Sequence, residues 1–196
     1  MTMRKTDRRT IYTKNIIKDS LLDLLKHIPY EKITVTAICK RSEITRATFY
    51  LHYDNIDEVL DEVLDEALRL TELDDNFSIS SSHLFVDAEI EKTFPPIPED
   101  PDILLPPCQR AASNPKYRIL FLDETMSHHI LEKLYKREKG RRIPEIMNTY
   151  HVSEWEADKL FLFMLHGSFA VNKALGWNKT PDWYRAQKVI QGLIEP

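Results

Sequence analysis

The chain reads as an all-α fold, a three-helix head built on a helix-turn-helix followed by a helical-bundle body. Three observations carry that reading. The composition, 42% hydrophobic and 30% charged with only four glycines in 196 residues, is that of a helix-rich globular protein. Apolar residues recur at spacings of three and four along most of the chain. Residues 34–53, TVTAICKRSEITRATFYLHY, form two short apolar-periodic segments around a polar interruption. The expected division is a head at 1–54, a linking helix at 55–73 and a body at 74–196.

The first helix is expected from Thr10 to His27, with Ile17, Leu21, Leu24, Leu25 and Ile28 as its buried stripe and Pro29 as its stop. Ahead of it, Arg4, Lys5, Arg8 and Arg9 form a basic arm. Free in solution such an arm is a solvated tail; on nucleic acid it settles against phosphates or in a minor groove. Thr34 is placed to cap the second helix, which carries Val35, Ile38 and Cys39. Lys40–Glu43 breaks the pattern, and Thr45 caps the third helix. There Phe49 and Tyr53, four apart, share the packed face. Arg46, Ala47, Thr48, Tyr50 and His52 are left outside. A short helix offering Arg, Thr, Tyr and His, with a small residue allowing close approach, suits a DNA major groove.

Charge supports this placement. Residues 1–53 hold eleven Lys/Arg against five Asp/Glu, net +6, and the remainder sixteen against twenty-six, net −10, giving −4 in all. A basic head on an acidic body fits a compact DNA-binding unit joined to one that does not bind.

These same residues carry a resemblance to the TetR/AcrR family of transcriptional regulators: Thr34, Ile38, Ile44, Thr45, Ala47, Thr48, Phe49, Tyr50, His52 and Tyr53 match its pattern. Two positions depart from it. Glu43 stands where the family has a turn glycine, at roughly 1 kcal/mol if the backbone there is left-handed. Ile56 replaces the lysine that opens the fourth helix and removes a phosphate contact. The resemblance implies a homodimer on a palindromic double-stranded DNA operator. In that picture Arg46 reads a base edge, Thr36, Ala47 and Tyr50 add groove contacts, and Thr34, Thr45, Thr48 and His52 hold phosphates. A ligand-responsive repressor is expected. A co-regulator that has lost its operator and acts through a partner protein is the alternative.

The fourth helix opens with Asn55 and Glu58 in capping-box relation, and its apolar series runs from Ile56 to Leu68. Its other side is acidic, from Asp57 to Glu66, and reads as a solvated face rather than a catalytic or metal-binding cluster. Residues 74–84 read as a loop and 85–93 as an ambiguous short helix. FPPIPEDPDILLPP follows as a stiff connection, holding six of the eleven prolines. A short helix is expected at 108–114 and a longer one from Tyr117 to Lys139, with Gly140 as its stop. His128 with Glu132 supplies two ligands and no third, so no metal is expected. Ser153 and Glu156 make a second capping box for a helix to about Leu175, and a last helix runs from Asp182 to Ile194.

LFLFML at 160–165 is apolar all round, which calls for burial on every side. The family resemblance implies dimerisation through these last two helices, with Phe163, Leu165, Phe169, Trp183 and Ile190 at the interface; two core helices of a monomer are the competing reading. An apolar or amphipathic effector is expected against Phe94, Tyr117, Phe121 and Phe161, the alternative being a filled core. No nucleophile–base neighbourhood and no glycine-rich phosphate loop argues for an enzyme, and no cofactor is expected. Cys39 and Cys108 make no disulfide framework. The absence of a membrane-spanning apolar run leads to a cytoplasmic expectation, with no membrane partner.

Overall fold

The computed structural model describes residues 5–73 and 107–194, and every regular element among them is helical. The head contains α1 (Lys5–Leu25), α2 (Val35–Arg41) and α3 (Arg46–Tyr50), and α4 (Ile56–Leu73) leads out of it. The remaining elements are α5 (Pro107–Ser113), α6 (Arg118–Leu122), α7 (Ser127–Tyr150), α8 (Glu154–Ala174) and α9 (Pro181–Ile194). No helix among the described residues is long and apolar enough to cross a membrane. The serine-rich loop, the ambiguous segment and the proline-rich run as far as Pro106, with Phe94, lie outside the described residues.

α1 begins at Lys5 rather than Thr10, so Lys5, Arg8 and Arg9 are part of a helix and not of an arm. No glycine or proline lies between Lys5 and Arg9, and the straight-chain Lys5, Arg8 and Arg9 propagate helix well. Arg4 falls outside the described residues. Ile17, Leu21, Leu22 and Leu25 are buried, and Pro29 ends the segment before a 3-10 turn at Tyr30–Lys32.

Both short head helices are closed at their N-termini as their sequences require. Ala37 N–H donates to Thr34 Oγ1 at 3.1 Å, and Thr48 N–H donates to Thr45 Oγ1 at 3.1 Å. Between the helices Glu43 has φ 55°, the left-handed backbone that a glycine would adopt without strain. On α4, Val59, Leu60, Val63, Leu64, Ala67 and Leu68 are all buried. They join a single apolar core that runs from Ile17 on α1 to Trp177 beyond α8.

Two expected features of the body change. The helix drawn from Tyr117 to Lys139 is broken at Asp123, whose carboxylate takes Thr125 N–H at 2.8 Å and the Thr125 hydroxyl at 2.6 Å. A side chain that offers the backbone such a local partner competes with helix continuation. Gly140, in turn, does not stop α7, which continues through Pro144 to Tyr150 and ends at left-handed His151. Packing overrides the local signals here. Ile143, Ile146, Met147 and Tyr150 close on Ala157 and Phe161 of α8 in a second apolar cluster.

The capping box at Ser153 is present in both directions, and α8 is followed by its C-cap Leu175 and then by Gly176 with φ +60°, the stop its sequence suggests. Trp177 follows with φ 57°, unusual for a bulky residue. Four hydrogen bonds hold it there. Its indole N–H donates to Phe121 O at 2.9 Å, its backbone N–H to Asn172 O at 2.9 Å, and its carbonyl accepts from Gln109 and Arg118.

Candidate nucleic-acid interface

α3 has only five residues, so its orientation is set by what lies behind it. Phe49 is fully buried against the α1–α4 core, with the Tyr53 ring 6.0 Å away and Tyr50 edge-on at 5.5 Å. Arg46, Ala47 and Tyr50 are exposed, and Thr48 and His52 are half-buried. Arg46 lies against the Tyr50 hydroxyl one turn on, which favours its charged form. Thr34 and Thr36 are exposed at the start of α2. Each group drawn from the sequence as a contact surface on α2 and α3 is therefore exposed or half-exposed. Arg8 and Arg9 are exposed on the first turns of α1.

Three of the threonines already have local work. The Thr34 and Thr45 oxygens accept cap bonds, and Thr45 shares a hydroxyl–hydroxyl bond of 2.9 Å with Thr48. Of the neighbouring cations, Arg41 pairs with Asp23, whereas Lys40 is exposed.

The acidic side of α4 is open to solvent at Asp57, Glu58, Asp61 and Asp65, as a solvated face would be, and it is also extensively bonded. Glu62 accepts from Lys14 at 2.7 Å, from Lys18 at 3.1 Å and from the Tyr53 hydroxyl at 3.1 Å. Lys18 also pairs with Glu66, Lys133 of α7 bonds Asp61 and Asp65, and the Tyr30 hydroxyl bonds Asp57. Burial alone would raise the Glu62 carboxyl, but the Lys14 and Lys18 hydrogen bonds outweigh it and hold the group below the usual carboxylate range. Burial opposes charge on Lys18 too, and Glu66 and Glu62 more than restore it. Sequence reasoning missed Lys14, Lys18, Glu62 and Glu66 as a set. The signal was their spacing, two lysines and two glutamates each four apart, facing across two helices.

Residues 17–63 match the family model described as bacterial regulatory proteins, tetR family. Those residues are a TetR-family head. The match runs from the buried stripe of α1 to the middle of α4, and so includes the helix-turn-helix and the helix that supports it. An uncharacterized HTH-type transcriptional regulator of Bacillus subtilis (strain 168), YxbF, is 35% identical over 80 residues. The alignment spans 40% of this chain and 20% of that relative. No solved structure matches the chain.

The two departures from the TetR pattern now have physical readings. Glu43 occupies a left-handed position at an energetic cost. Ile56 is half-buried and packs on the core, so the position serves head-to-α4 packing rather than a backbone phosphate.

Outside the TetR-type head, the residues drawn for an effector are not brought together. Tyr117 and Phe121 are buried in the main core, Phe121 edge-on to Trp177 at 5.1 Å. Phe161 belongs to the second cluster, stacked on Tyr135 at 5.7 Å. All three are spent on packing. Phe169 and Trp183, drawn for a dimer interface, are likewise claimed by the chain's own interior. Phe169 meets Trp177 at 5.0 Å, and the Trp183 indole donates to Asn172 Oδ1 at 2.6 Å. Leu165 and Ile190 are half-buried, and Phe163 is 72% exposed. Glu132 pairs with Lys136 at 2.6 Å, and among the described residues no group of His, Cys, Asp and Glu is arranged to hold a metal.

Proposed function

We propose that the chain is a sequence-specific, DNA-binding transcriptional regulator that works as a homodimer and represses by occupying a palindromic operator. We take 1–54 as the DNA-binding unit, 55–73 as the link and 74–196 as the dimerising body. The observation that carries the proposal is the capped five-residue α3, pinned from behind by Phe49 and Tyr53 and presenting Arg46, Ala47 and Tyr50 outward. The TetR-type head and the name of the Bacillus relative support it. Arg46 reads a base edge, most simply guanine. Thr36, Ala47 and Tyr50 add groove contacts, the Thr34, Thr45, Thr48 and His52 side chains fix the register, and Arg8 and Arg9 add sequence-independent attraction.

The dimer part rests on α8. Trp155, Lys159, Phe163, Gly167, Ala170 and Ala174 are exposed on one side of it, and nothing lies within 4 Å of a Cβ placed on Gly167. A bulky anchor followed by small residues along one face suits close helix–helix approach by a second copy. Two heads related by a two-fold axis would enter successive major grooves about 34–36 Å apart.

The test is selection from random duplex DNA with the full chain. A two-fold symmetric site is expected. Arg46→Ala should then lose about 1–3 kcal/mol of discrimination at one base pair in each half-site. Arg8→Ala should weaken all sequences alike and flatten the salt dependence. Recovery of no preferred sequence, or an Arg46→Ala variant that discriminates like the wild type, would refute the docking.

A further inference from the structure

We propose that α3 is oriented by a polar relay running from the body through α4, with Tyr117, Glu66, Lys18, Glu62 and Tyr53 as its positioning residues. Its consequence for operator binding rests on the DNA-binding reading above; its geometry does not. Tyr53 is tied to the recognition helix through its backbone N–H, which donates to Phe49 O at 3.1 Å. Its hydroxyl donates to Glu62 Oε2 at 3.1 Å. The second oxygen of Glu62 accepts Lys18 Nζ at 3.1 Å, and the same ammonium reaches Glu66 Oε1. The second oxygen of Glu66 accepts the Tyr117 hydroxyl at 3.5 Å, at the turn that opens α6. Each glutamate thus turns one oxygen to Lys18 and the other to a tyrosine. Lys14 reinforces the head end, bonding Glu62 Oε2 at 2.7 Å with its ammonium 4.9 Å above the Tyr53 ring.

The composition of this relay argues that it sets position more than it adds stability. The Lys18 side chain is only 5% exposed, and an ammonium taken out of water between two carboxylates gains little over an apolar residue of similar size. An apolar contact at that place would tolerate sliding between α1 and α4. Charge-assisted bonds to oxygens on two successive turns of α4 fix one register instead. Because the Tyr53 N–H bonds Phe49 O, one turn back inside α3, that register is also the tilt of the recognition helix. The body enters through Tyr117, whose hydroxyl lies on the far carboxylate, so a displacement of the α5–α6 turn is felt at α3 through side-chain bonds.

Two hydroxyl deletions test the relay without emptying the core. Amide hydrogen exchange is measured on free wild-type protein, Tyr53→Phe, Tyr117→Phe and the double variant, together with melting points and affinity for the selected operator. Both single variants are expected to speed exchange of the residue 48–53 amides by about fivefold, with α9 amides unchanged. The double variant should be no faster than Tyr53→Phe alone, since both cut one line. Operator affinity should fall by about fivefold in each, with melting points close to wild type. A merely structural role would lower the melting point without singling out α3, and that result overturns the proposal. So does a Tyr117→Phe variant whose α3 amides exchange as in the wild type, or single effects that multiply in the double. If the exchange pattern appears but no DNA sequence is selected by the wild type, the relay stands and the DNA-binding reading falls.

Discussion

In the head, Ile38, Cys39, Phe49 and Tyr53 all turn inward, and the outer side of α3 is left mainly to a guanidinium, hydroxyls and an imidazole, with Leu51 80% exposed at its end. In the α7–α8 hairpin, Ile146, Ala157 and Phe161 also turn inward, yet Trp155 and Phe163 stay 69% and 72% exposed. The two regions close their interiors in the same way and finish their surfaces differently. A polar outer face over a rigid apolar backing suits a polyanionic groove; uncovered aromatics beside Gly167 and Ala170 suit another helix. The comparison teaches that like interiors can carry unlike surfaces, and that the interior of each region says less about what it could bind than what it leaves uncovered.

The strongest way to break the head side of this contrast is to remove its backing. Phe49→Ala should destabilise the protein by about 3–5 kcal/mol, and chemical denaturation followed by helical circular dichroism would measure it. A smaller loss would mean that α3 is not held by that ring.

On the hairpin side the expected effect is selective. Phe163→Glu places a carboxylate where a single chain is open to water, so folding stability should change by no more than about 0.5 kcal/mol. Self-association should weaken by roughly 3 kcal/mol or more, read by sedimentation at a series of concentrations. An unchanged dimer would locate the interface elsewhere, and a wild-type monomer would end the assembly proposal.

The capping of these two regions was legible before any coordinates, because a cap is a short-range event. Thr34, Thr45, Asn55 and Ser153 are each followed within three residues by the donor they satisfy. The packed face of α3 was legible for the same reason, with Phe49 and Tyr53 one turn apart. What failed was longer in range. The continuation of α7 past Gly140 depends on α8, and the occupied acids of α4 depend on lysines far away in sequence, Lys14 and Lys133. Trp183 and Phe169, expected at an interface, are covered by the chain's own interior, and an aromatic on an amphipathic helix looks the same in sequence whether a neighbour in its own chain or a second chain covers it.

Two smaller effects sharpen the head. Thr45→Ala removes the oxygen that receives Thr48 N–H and should cost about 1 kcal/mol, measured by thermal unfolding. In a five-residue helix this is a large fraction of the local stability, so exchange of α3 amides should rise along with it. Glu43→Gly works in the opposite direction. Relief of the left-handed strain at φ 55°, less the extra freedom of glycine in the unfolded chain, should stabilise by about 0.5–1 kcal/mol. A destabilised variant would show that the Glu43 side chain makes a compensating interaction.

The left-handed Trp177, buried with its indole bonded to Phe121 O, has an optical consequence. The chain has three tryptophans, at 155, 177 and 183, and none in the first 54 residues. Two are sealed with their indole N–H groups bonded indoors, and the third stands in water with Lys159 5.8 Å from its ring. Tryptophan fluorescence, excited selectively over tyrosine, therefore has no reporter in the head and is divided in the body. The blue, unquenchable part reports whether the interior is intact, and the red part, open to an aqueous quencher, reports whether anything has come to cover α8.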